Sequence, residues 1–362
     1  MKVLITGAHF TPAVAVIEQL KKVSGLEVVY VGRKTTFEGD KAKSAESAIL
    51  PSLGVKFIPI ITGRLQRTFT LYTIPSLFKI PIGFLQSIFI LLSQKPDVIL
   101  SFGGYVSVPV VITGWLFSVP VIIHEQTLFA GLANRICSYF ADKIAVSFKD
   151  GEFKGEKVVL TGNPIRRDIY ELSKKAAQAV FREKKMPAVL IIGGNQGSHA
   201  INTAVEKILD KLTKIAKVYH QTGDSKYGDF ERLNNFSGEN YKVFKFIGNQ
   251  WTKILEECDL VVSRAGINSL TELAFLGKPV LLIPIGNSEQ KKNAQYFSGI
   301  GLAKILPESK LTGETLLEQV KLMLSDLKTS SQKAQKAKEL IIPDGAKRLT
   351  LETLLLVNSP KN

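Results

Sequence analysis

Short apolar runs alternate along the chain with longer segments in which apolar residues recur at helical spacing. A short apolar run bounded by glycine, proline or charged residues is typical of a buried strand. The runs predicted as strands are residues 2–5, 27–31, 98–100, 119–123, 143–146 and 158–160 in the first half, and residues 187–192, 217–220, 241–246, 260–262 and 280–283 in the second. Because strands and helices alternate in both halves, the pattern predicts an α/β protein with two doubly wound parallel sheets.

The length of 362 residues exceeds what one hydrophobic core usually supports, which favours two domains. The Thr-Gly-Asn-Pro turn at 161–164 is the predicted seam between them. We therefore expect an N-terminal domain over residues 1–162 and a C-terminal domain over residues 163–345. Residues 346–362 are expected to form a C-terminal helix that returns to the N-terminal domain, and the lysine-rich stretch at 331–340 is interpreted as a solvated helix face.

Two apolar segments are long enough to compare with a membrane span. The first, residues 98–123, contains no charged residue, but Gly103, Gly104 and Pro109 interrupt it, which predicts a strand, a loop, a short helix and a second strand. The second, residues 47–96, contains no Asp or Glu, and its basic residues are Lys56, Arg64, Arg67, Lys79 and Lys95. Its apolar part at 80–92 is either a buried helix with solvated lysines around it or a cationic, apolar surface that contacts anionic lipid.

The composition is that of a soluble globular protein, with 45% hydrophobic and 22% charged residues. Cys137 and Cys258 lie far apart and outside any CxxC motif, so neither a disulfide framework nor a zinc site is indicated and a reducing cytoplasm is expected. The apolar run after Met1 is too short for a signal peptide and is interpreted as a first buried strand. The net charge of +15 indicates an anionic partner, namely nucleic acid, an acidic membrane or a phosphorylated substrate.

The clearest candidate for phosphate binding is the glycine loop that follows the predicted strand at 187–192. Gly193, Gly194 and Gly197 allow backbone amides to approach a diphosphate, and the helix predicted from Ala200 presents its positive end to it. In open parallel sheets, ligands bind beyond the carboxyl ends of the strands, where this loop lies. The loop matches neither G-x-G-x-x-G nor a P-loop, so a nicotinamide or ATP site is not indicated.

Other polar residues follow other predicted strands. Arg264 is suited to a phosphate, Glu272 to both hydroxyls of a ribose, and the amides of Gln290 and Asn293 to sugar hydroxyls. The four histidines, which are His9, His124, His199 and His220, lie at or just beyond the predicted strands. The stretch 124–126, His-Glu-Gln, is predicted to be the loop at the carboxyl end of the strand that ends at residue 123.

Six motifs occur in the order found in the MurG family of N-acetylglucosaminyltransferases, which convert lipid I to lipid II in peptidoglycan synthesis. They are FGGYVSVP at 102–109, HEQ at 124–126 with GLAN at 131–134, GNPIR at 162–166, GGNQG at 193–197, SRAG at 263–266 with TE at 271–272, and Gln290 with NA at 293–294. The chain resembles this family from about residue 2 to residue 300 or beyond. The resemblance implies a GT-B fold, in which two Rossmann-like domains face a cleft, the N-terminal domain recognises the acceptor and the C-terminal domain holds UDP-N-acetylglucosamine (UDP-GlcNAc).

The resemblance also implies roles for individual residues. The expected contacts of UDP-GlcNAc are Thr127, Arg166, Asn195, Gln196, Gly197, Phe246, Ile247, Arg264, Glu272, Gln290 and Asn293. The expected acceptor side consists of Gly7, Gly103, Gly104, Tyr105, His124, Gln126 and Asn134. The transfer is expected to be a direct inverting displacement, with His9 as the first candidate for the general base and Glu125 as the second. No metal and no tightly bound cofactor are expected, because helix dipoles and cationic side chains stabilise the diphosphate in such folds.

The implied partners are a lipid-linked muramyl-pentapeptide acceptor and an anionic membrane surface, with the protein peripheral on the cytoplasmic face of the bacterial plasma membrane. Two departures from the family pattern stand out: the first loop, Gly7-Ala8-His9, contains fewer glycines than usual, and Thr127 occupies a position where Asn is common. Two other enzymes stay open, a glycosyltransferase with another lipid acceptor and a UDP-GlcNAc 2-epimerase. The sequence contains no recognised nucleic-acid-binding module, and it leaves the oligomeric state open.

Overall fold

In a computed structural model, the protein is described over residues 1–35, 44–63, 73–178, 186–194, 196–286 and 288–357. The chain folds as two compact units. Unit 1 contains Met1–Arg166 together with Ile342–Asn362, and unit 2 contains Arg167–Ile341. The chain thus leaves unit 1 after Arg166 and returns to it after Ile341.

Unit 1 is built on a seven-stranded sheet in the order β3-β2-β1-β4-β5-β6-β7, in which the neighbouring strands are parallel. Its strands are β1 (Lys2–Thr6), β2 (Glu27–Gly32), β3 (Lys56–Pro59), β4 (Val98–Ser101), β5 (Val121–Glu125), β6 (Lys143–Val146) and β7 (Val158–Leu160). Its described helices are α1 (Phe10–Leu20), α2 (Ala45–Ile49), α3 (Thr73–Gln94), α4 (Ser107–Leu116), α5 (Leu132–Ser138) and α15 (Gly345–Val357).

Both faces of this sheet are covered by helices. Successive side chains of a strand point to opposite faces, so Val3 packs in a core with α1 and α15, whereas Leu4 packs in a second core with α3 and α4. A strand that is buried on both faces needs apolar residues at nearly every position. This explains why the strands of unit 1 appear in the sequence as continuous apolar runs.

Unit 2 contains a six-stranded parallel sheet in the order β10-β9-β8-β11-β12-β13. Its strands are β8 (Ala188–Ile192), β9 (Lys217–Gln221), β10 (Tyr241–Phe244), β11 (Leu260–Ser263), β12 (Val280–Leu282) and β13 (Ala303–Ile305). Its described helices are α6 (Arg167–Gln178), α7 (His199–Glu206), α8 (Leu209–Leu212), α9 (Asp229–Asn234), α10 (Trp251–Glu257), α11 (Ile267–Phe275), α12 (Gln290–Gly299), α13 (Gly313–Ser325) and α14 (Leu327–Lys338). The first two strands of the unit, β8 and β9, lie side by side, and the strand order reverses at β8, which is the doubly wound arrangement.

The predicted α/β class with two parallel sheets is confirmed, and each of the predicted strands is present. Two strands were not predicted, β3 and β13, and both lie at a sheet edge with half-exposed side chains. The prediction of a loop at 124–126 is wrong for its first two residues. His124 and Glu125 continue β5, because they pair with Ala145 and Val146 of β6.

Helix α3 exposes an apolar stripe at helical spacing. Its residues are Phe78, which is 74% exposed, Ile82, Leu85, Phe89, which is 71% exposed, and Leu92. The interpretation of this segment as a buried helix is therefore wrong for this face. Among the described residues, no helix is long and apolar enough to cross a membrane. Arg64 and Arg67, which belong to the same basic segment, lie outside the described residues.

Candidate active site

The carboxyl ends of β1, β2, β4 and β5 surround a pocket of unit 1 with a volume of about 410 Å³. Among its lining residues are the polar side chains of His9, Arg33, Tyr105, Glu125 and Asn134. Of the residues expected at the acceptor side, the structure brings Gly104, Tyr105 and Asn134 together here with both candidate bases. We name this cavity the unit 1 pocket.

The loop after β1 packs directly on the loop after β4. The Ala8 amide donates a hydrogen bond to the Gly103 carbonyl at 2.9 Å, and the Tyr30 hydroxyl donates to the Gly7 carbonyl at 3.0 Å. Gly104 has a φ of +84°, and a Cβ atom there would lie 2.5 Å from the Ala8 Cβ. A larger residue at Gly104 would therefore separate the two loops that carry His9 and Tyr105.

His9 is the residue before α1, and its side chain is exposed to solvent at the edge of the pocket. Its side chain makes no capping hydrogen bond to the helix, so it is not tied to a structural role there. Desolvation in the pocket, with a smaller effect of the Arg33 guanidinium, lowers the pKa of His9 to about 4. The imidazole is therefore neutral at pH 7 and has a ring nitrogen that can accept a proton.

His124 lies behind the pocket rather than in it. Its ring is buried, packs edge-on against Phe102, and places Nε2 3.2 Å from the Ser147 hydroxyl and 3.4 Å from the Gly162 carbonyl. Burial lowers its pKa to about 3, so it is neutral at pH 7. Gln126 is also buried, and its Oε1 has no hydrogen-bond partner among the described residues. Neither of these two predicted residues lines the unit 1 pocket.

Glu125 is buried, and both of its carboxylate oxygens are occupied by donors of the same loop. Oε1 accepts from the Thr127 amide at 2.9 Å and lies 2.7 Å from the Thr127 hydroxyl. Oε2 accepts from the Asn134 side chain at 2.8 Å and from the Gly131 amide at 3.3 Å. Burial raises the pKa of Glu125, and these hydrogen bonds oppose that shift. The carboxyl group thus organises the loop over 125–134, which leaves it less available as a base than His9.

Asn134 has one satisfied and one unsatisfied end. Its Nδ2 donates to Glu125 and to the His124 carbonyl, which fixes the orientation of the amide. Its Oδ1 is buried and has no hydrogen-bond partner among the described residues, although buried acceptors are usually paired. Asn134 is also one of the residues that line the unit 1 pocket.

In unit 2, the predicted glycine loop packs backbone against backbone on the loop after β9. Gly197 has a φ of +78°, and a Cβ atom there would lie 1.7 Å from the Thr222 carbonyl oxygen. Gly223 of the facing loop is equally restricted, because its Cβ would lie 2.3 Å from the Gln196 carbonyl oxygen. Gln196 itself is exposed, and Asn195 lies outside the described residues.

Gln221, at the end of β9, was not predicted as a site residue. Its Nε2 donates to the Gly194 carbonyl at 3.2 Å, and its Oε1 accepts from the Ile247 amide at 3.0 Å. It therefore joins the glycine loop to the segment of Phe246, which is 64% exposed. A signal was present in the sequence, since the polar stretch from His220 to Gly223 follows an apolar strand as the other candidate stretches do.

A buried network of polar side chains supports the loop after β9, on which the glycine loop packs. Asn202 of α7 donates to the Thr222 carbonyl at 3.0 Å and to Asp229 at 2.9 Å, and its Oδ1 lies 3.0 Å from Nε2 of His220. Burial lowers the pKa of His220 to about 3. Burial raises the pKa of Asp229, but hydrogen bonds from Asn202, Arg232, His199 and Ser225 outweigh it and lower that pKa to about 2. His220 is thus neutral and Asp229 ionised at pH 7.

The other residues of unit 2 that were expected to contact UDP-GlcNAc mostly make hydrogen bonds within the protein. The buried Arg264 donates to the Ile283 carbonyl at 2.9 Å, to the Ser198 hydroxyl at 2.7 Å and to Glu308. Oε1 of Gln290 accepts from the amides of Ala265 and Ile285, each at 3.3 Å, and Asn293 donates to the Ala265 carbonyl at 3.1 Å. Glu272 is buried in α11. These side chains hold the loops after β11 and β12 in place.

Arg166 and Thr127 belong to unit 1. Arg166 is the last residue before the chain enters unit 2 and is half-buried, and Thr127 is bound to Glu125 as described above. Their predicted contacts with UDP-GlcNAc stay predictions. Among the residues that the structure describes, no group of three His, Cys, Asp or Glu side chains is placed to hold a metal ion.

Two doubly wound parallel-sheet units with a glycine loop after the first strand of the second unit define the GT-B class. The crystal structure of MurG from Acinetobacter baumannii superposes with a TM-score of 0.76 at 26% sequence identity, covering 98% of this chain and 99% of that one. A UDP-GlcNAc 2-epimerase from Neisseria meningitidis has a TM-score of 0.66 at 17% identity, covering 98% of this chain and 100% of that one, which is a likeness of fold.

Sequence comparison is more specific. The family models for the glycosyltransferase family 28 N-terminal and C-terminal domains match residues 6–146 and 188–349. A Clostridium botulinum (strain Langeland) protein named UDP-N-acetylglucosamine--N-acetylmuramyl-(pentapeptide) pyrophosphoryl-undecaprenol N-acetylglucosamine transferase is 35% identical over 96% of this chain and 97% of its own length. A Legionella pneumophila (strain Paris) protein of the same name is 33% identical over 87% of this chain and 85% of its own. The chain belongs to glycosyltransferase family 28, in the group of these N-acetylglucosamine transferases.

Proposed function

We propose that this glycosyltransferase transfers GlcNAc from UDP-GlcNAc to the muramyl sugar of lipid I, the lipid-linked muramyl-pentapeptide, and so makes lipid II for peptidoglycan synthesis. The observation that carries the proposal is His9, a neutral and solvent-accessible imidazole in a pocket that also contains Glu125 and Asn134. The 35% identity to a transferase named for this reaction gives independent support.

The donor is held by unit 2. Backbone amides of the glycine loop and the N-terminal end of α7 bind the diphosphate, because a helix N-terminus offers unpaired N–H groups and a positive dipole. Gln221 supports this site, since it fixes both the Gly194 carbonyl and the amide of Ile247, where the uracil edge binds. Glu272 accepts the ribose hydroxyls, and Gln290, with Asn293 nearby, faces the GlcNAc hydroxyls.

The reaction is a direct displacement with inversion at the anomeric carbon. The acceptor hydroxyl attacks that carbon, a new C–O bond forms, and the bond to the β-phosphate oxygen breaks with its electron pair leaving on UDP. His9 takes the proton of the attacking hydroxyl, for which a positioned base typically contributes about 10²–10⁴-fold in rate. Glu125 orders the loop of the pocket and does not accept the proton, because four hydrogen-bond donors already surround its carboxylate.

The UDP leaving group is stabilised by fixed positive groups of the protein. Loop amides and the α7 dipole act on the diphosphate, and Arg166 adds a charged contact. Arg264 contributes to this stabilisation indirectly, by holding the loop in place, since its guanidinium already binds Ser198 and Glu308. UDP-GlcNAc is then the donor substrate of a reaction that needs no tightly bound cofactor.

We further propose that unit 1 contacts the cytoplasmic face of the plasma membrane as a peripheral protein. Trp115 and Leu116 at the end of α4, a helix that packs against α3, are also 50% and 63% exposed. An exposed apolar patch of this extent marks an interaction surface. Lys79 and Lys95 add positive charge to the same helix region, which attracts anionic lipid.

The proposal is tested by transfer of labelled GlcNAc from UDP-GlcNAc to a lipid I analogue. The expected result is an acceptor-dependent, labelled lipid-linked disaccharide, with much slower transfer from UDP-glucose. An acceptor-free incubation serves as the control for the epimerase fold neighbours. Formation of UDP-ManNAc without acceptor, and no labelled disaccharide with it, would contradict the proposal.

A further inference from the structure

A second pocket lies in unit 2, at the carboxyl ends of β12 and β13 and against the first turns of α12. Its volume of about 580 Å³ lies in the range of about 300–1,000 Å³ that small-molecule sites occupy. None of the described residues that were expected to contact UDP-GlcNAc lines this pocket. It therefore offers room for a ligand, or for a part of a substrate, other than the sugar nucleotide. We name this cavity the unit 2 pocket.

The unit 2 pocket combines apolar side chains with polar side chains that have no partner. Ile305 at the end of β13 and Pro307 after it belong to its apolar lining. Lys291 and Gln295 are one turn apart, so they lie on the same face of α12, and Ser309 follows β13. The side chains of these three residues are exposed and make no hydrogen bond or ion pair among the described residues. Unlike the side chains that hold the loops after β11 and β12, they are free to bind a ligand.

The charge of the unit 2 pocket favours an anionic ligand. Two charged side chains line it, Lys291 and Glu308. The Glu308 carboxylate binds the guanidinium of Arg264, so its negative charge is compensated within the protein. The ammonium of Lys291 then determines the sign of the charge that a ligand meets. A ligand with a carboxylate for Lys291, and with groups that both donate and accept for Gln295 and Ser309, matches this lining. The carboxyl-terminal end of a peptide has these groups.

The unit 2 pocket adjoins the loop to which we assign the transferred sugar. Oε1 of Gln290 accepts from the Ile285 amide at 3.3 Å, and the neighbouring residues on either side, Pro284 and Lys291, line the pocket. In the proposed reaction Gln290 faces the GlcNAc hydroxyls, and the acceptor hydroxyl must approach the anomeric carbon of that sugar to about 3–3.5 Å. The substituents of the acceptor sugar are therefore brought close to the loop after β12. One of these substituents is the pentapeptide.

We propose that the unit 2 pocket binds the carboxyl-terminal end of the acceptor's pentapeptide. Lys291 binds the terminal carboxylate, Gln295 and Ser309 bind amide groups, and Ile305 and Pro307 contact the side chains of the peptide. A muramyl peptide is joined to its sugar through its amino end, so the carboxylate is the end that is free to enter a pocket. The inference rests on the proposed function, in which the acceptor carries a pentapeptide. It adds that unit 2 recognises the acceptor as well as the donor.

The test is equilibrium binding of N-acetylmuramyl-pentapeptide, without lipid, to the full-length protein. Saturating UDP is present so that the carboxylate cannot occupy the diphosphate site. The comparison ligands are the same molecule with a C-terminal amide and acetate, which offers the carboxylate alone. The pentapeptide should bind about two- to fivefold more tightly than its amide, and added salt should reduce this difference, because an exposed ion pair is weak and screened. No binding of the pentapeptide, equal affinity of acid and amide, or equal affinity of acetate and pentapeptide would overturn the inference.

Matched variants locate the peptide in this pocket. Lys291→Gln should abolish the difference between the acid and the amide, and Lys291→Arg should keep it. Lys292→Gln removes the adjacent exposed lysine, which does not line the pocket, and should also keep the difference. Gln295→Ala should weaken the binding of both ligands by the same factor, and unchanged thermal midpoints show that each protein is folded. A difference that persists in Lys291→Gln, or one that is lost in Lys292→Gln, would contradict the assignment.

These binding measurements are separate from the transfer reaction. If the wild-type protein makes the labelled disaccharide but binds the acid and the amide equally, the inference fails and the proposed function stands. If it prefers the acid but transfers no GlcNAc, the proposed reaction fails and the peptide pocket stands. Where both hold, Lys291→Gln should raise the KM for the lipid I analogue by about two- to fivefold and leave that for UDP-GlcNAc unchanged. A rise in the KM for UDP-GlcNAc alone would instead make Lys291 a donor residue and overturn the inference.

Discussion

Both units place polar residues at the carboxyl ends of parallel strands, but they use them differently. In unit 2, Gln221, Arg264 and Asn293 bind carbonyls or amides of the protein's own loops. In unit 1, His9 is exposed at the pocket edge, and Asn134, which also lines the pocket, has a buried Oδ1 with no hydrogen-bond partner among the described residues. Unit 2 therefore offers a ligand mainly backbone that side chains hold in place, whereas unit 1 offers side chains directly.

This difference suits the two substrates that we propose. A nucleotide diphosphate is well bound by preformed loop amides, which lose no side-chain entropy on binding. An acceptor hydroxyl needs a base that can gain and release a proton, which only a side chain can do. Substitutions in unit 2 are thus expected to act through loop geometry, and those in unit 1 through chemistry.

The largest expected effect is that of His9→Ala. Removal of the base should lower the turnover number by about 10²–10⁴-fold, while UDP-GlcNAc binding stays within about twofold. The fold should persist, because His9 makes no capping hydrogen bond to α1. Steady-state transfer assays and donor titration measure the two quantities. Turnover equal to that of the wild type would remove His9 from the mechanism.

The pH dependence sharpens the same assignment. A base acts only when unprotonated, and the pKa of His9 is lowered from 6.5 to about 4. Activity should therefore persist as the pH falls through 6.5 and be lost only as it falls through about 4. The measurement is kcat/KM against pH, with circular dichroism at each pH to show that the protein is folded. An acid limb centred near pH 6.5 that persists in His124→Gln would contradict the lowered pKa of His9.

Gly197→Ala should be nearly as damaging, through geometry alone. The new Cβ would lie 1.7 Å from the Thr222 carbonyl oxygen in a backbone with a φ of +78°, so the two loops must separate. We expect a loss of about 2–4 kcal/mol in UDP-GlcNAc binding or in stability of unit 2. Donor titration and urea unfolding measure the two. Gly266→Ala is the control, since nothing lies within 4 Å of its Cβ, and equal behaviour of the two variants would refute the packing argument.

A smaller effect is expected from Phe78→Glu combined with Phe89→Glu. These side chains are 74% and 71% exposed, so the fold should be unaffected while apolar contact with lipid is lost. Flotation with anionic and neutral liposomes measures the association, and recovery with anionic liposomes should fall several-fold. Leu322→Glu, at an exposed apolar position of unit 2, should behave as the wild type. Equal recovery of all variants would reject the membrane surface.

Most of the fold could be predicted from the sequence, because buried parallel strands require continuous apolar runs. It missed β3 and β13, since these edge strands contain no fully buried residue and include a lysine, so neither carries a continuous apolar run. It placed a loop at His124 because polar side chains rarely end a buried strand. Here they do, since the Ser147 hydroxyl and the donors to Glu125 satisfy them inside the protein.

The candidate site was predicted less completely than the fold. Strand-end position selected His9 and the family motif selected Asn134, and both residues line the unit 1 pocket; neither signal separates such residues from residues such as His124 that lie behind the pocket. Gln221 was missed because it joins Gly194 and Ile247, which are 53 positions apart in the sequence and meet only in the folded protein, and no local pattern shows such a contact. The exposed face of α3 was ambiguous for the same reason, since hydrophobic spacing does not say which face is covered.

The most direct test of the division between the units is the pair of Michaelis constants in the GlcNAc-transfer assay for Asn134→Ala and Gln221→Ala. Loss of one or two hydrogen bonds corresponds to about a three- to tenfold change. Asn134→Ala should raise the KM for the lipid acceptor by this factor and leave that for UDP-GlcNAc within about twofold, and Gln221→Ala should do the reverse. If both variants raised both constants equally, or if each affected the opposite substrate, the account of a side-chain acceptor site and a backbone donor site would be contradicted.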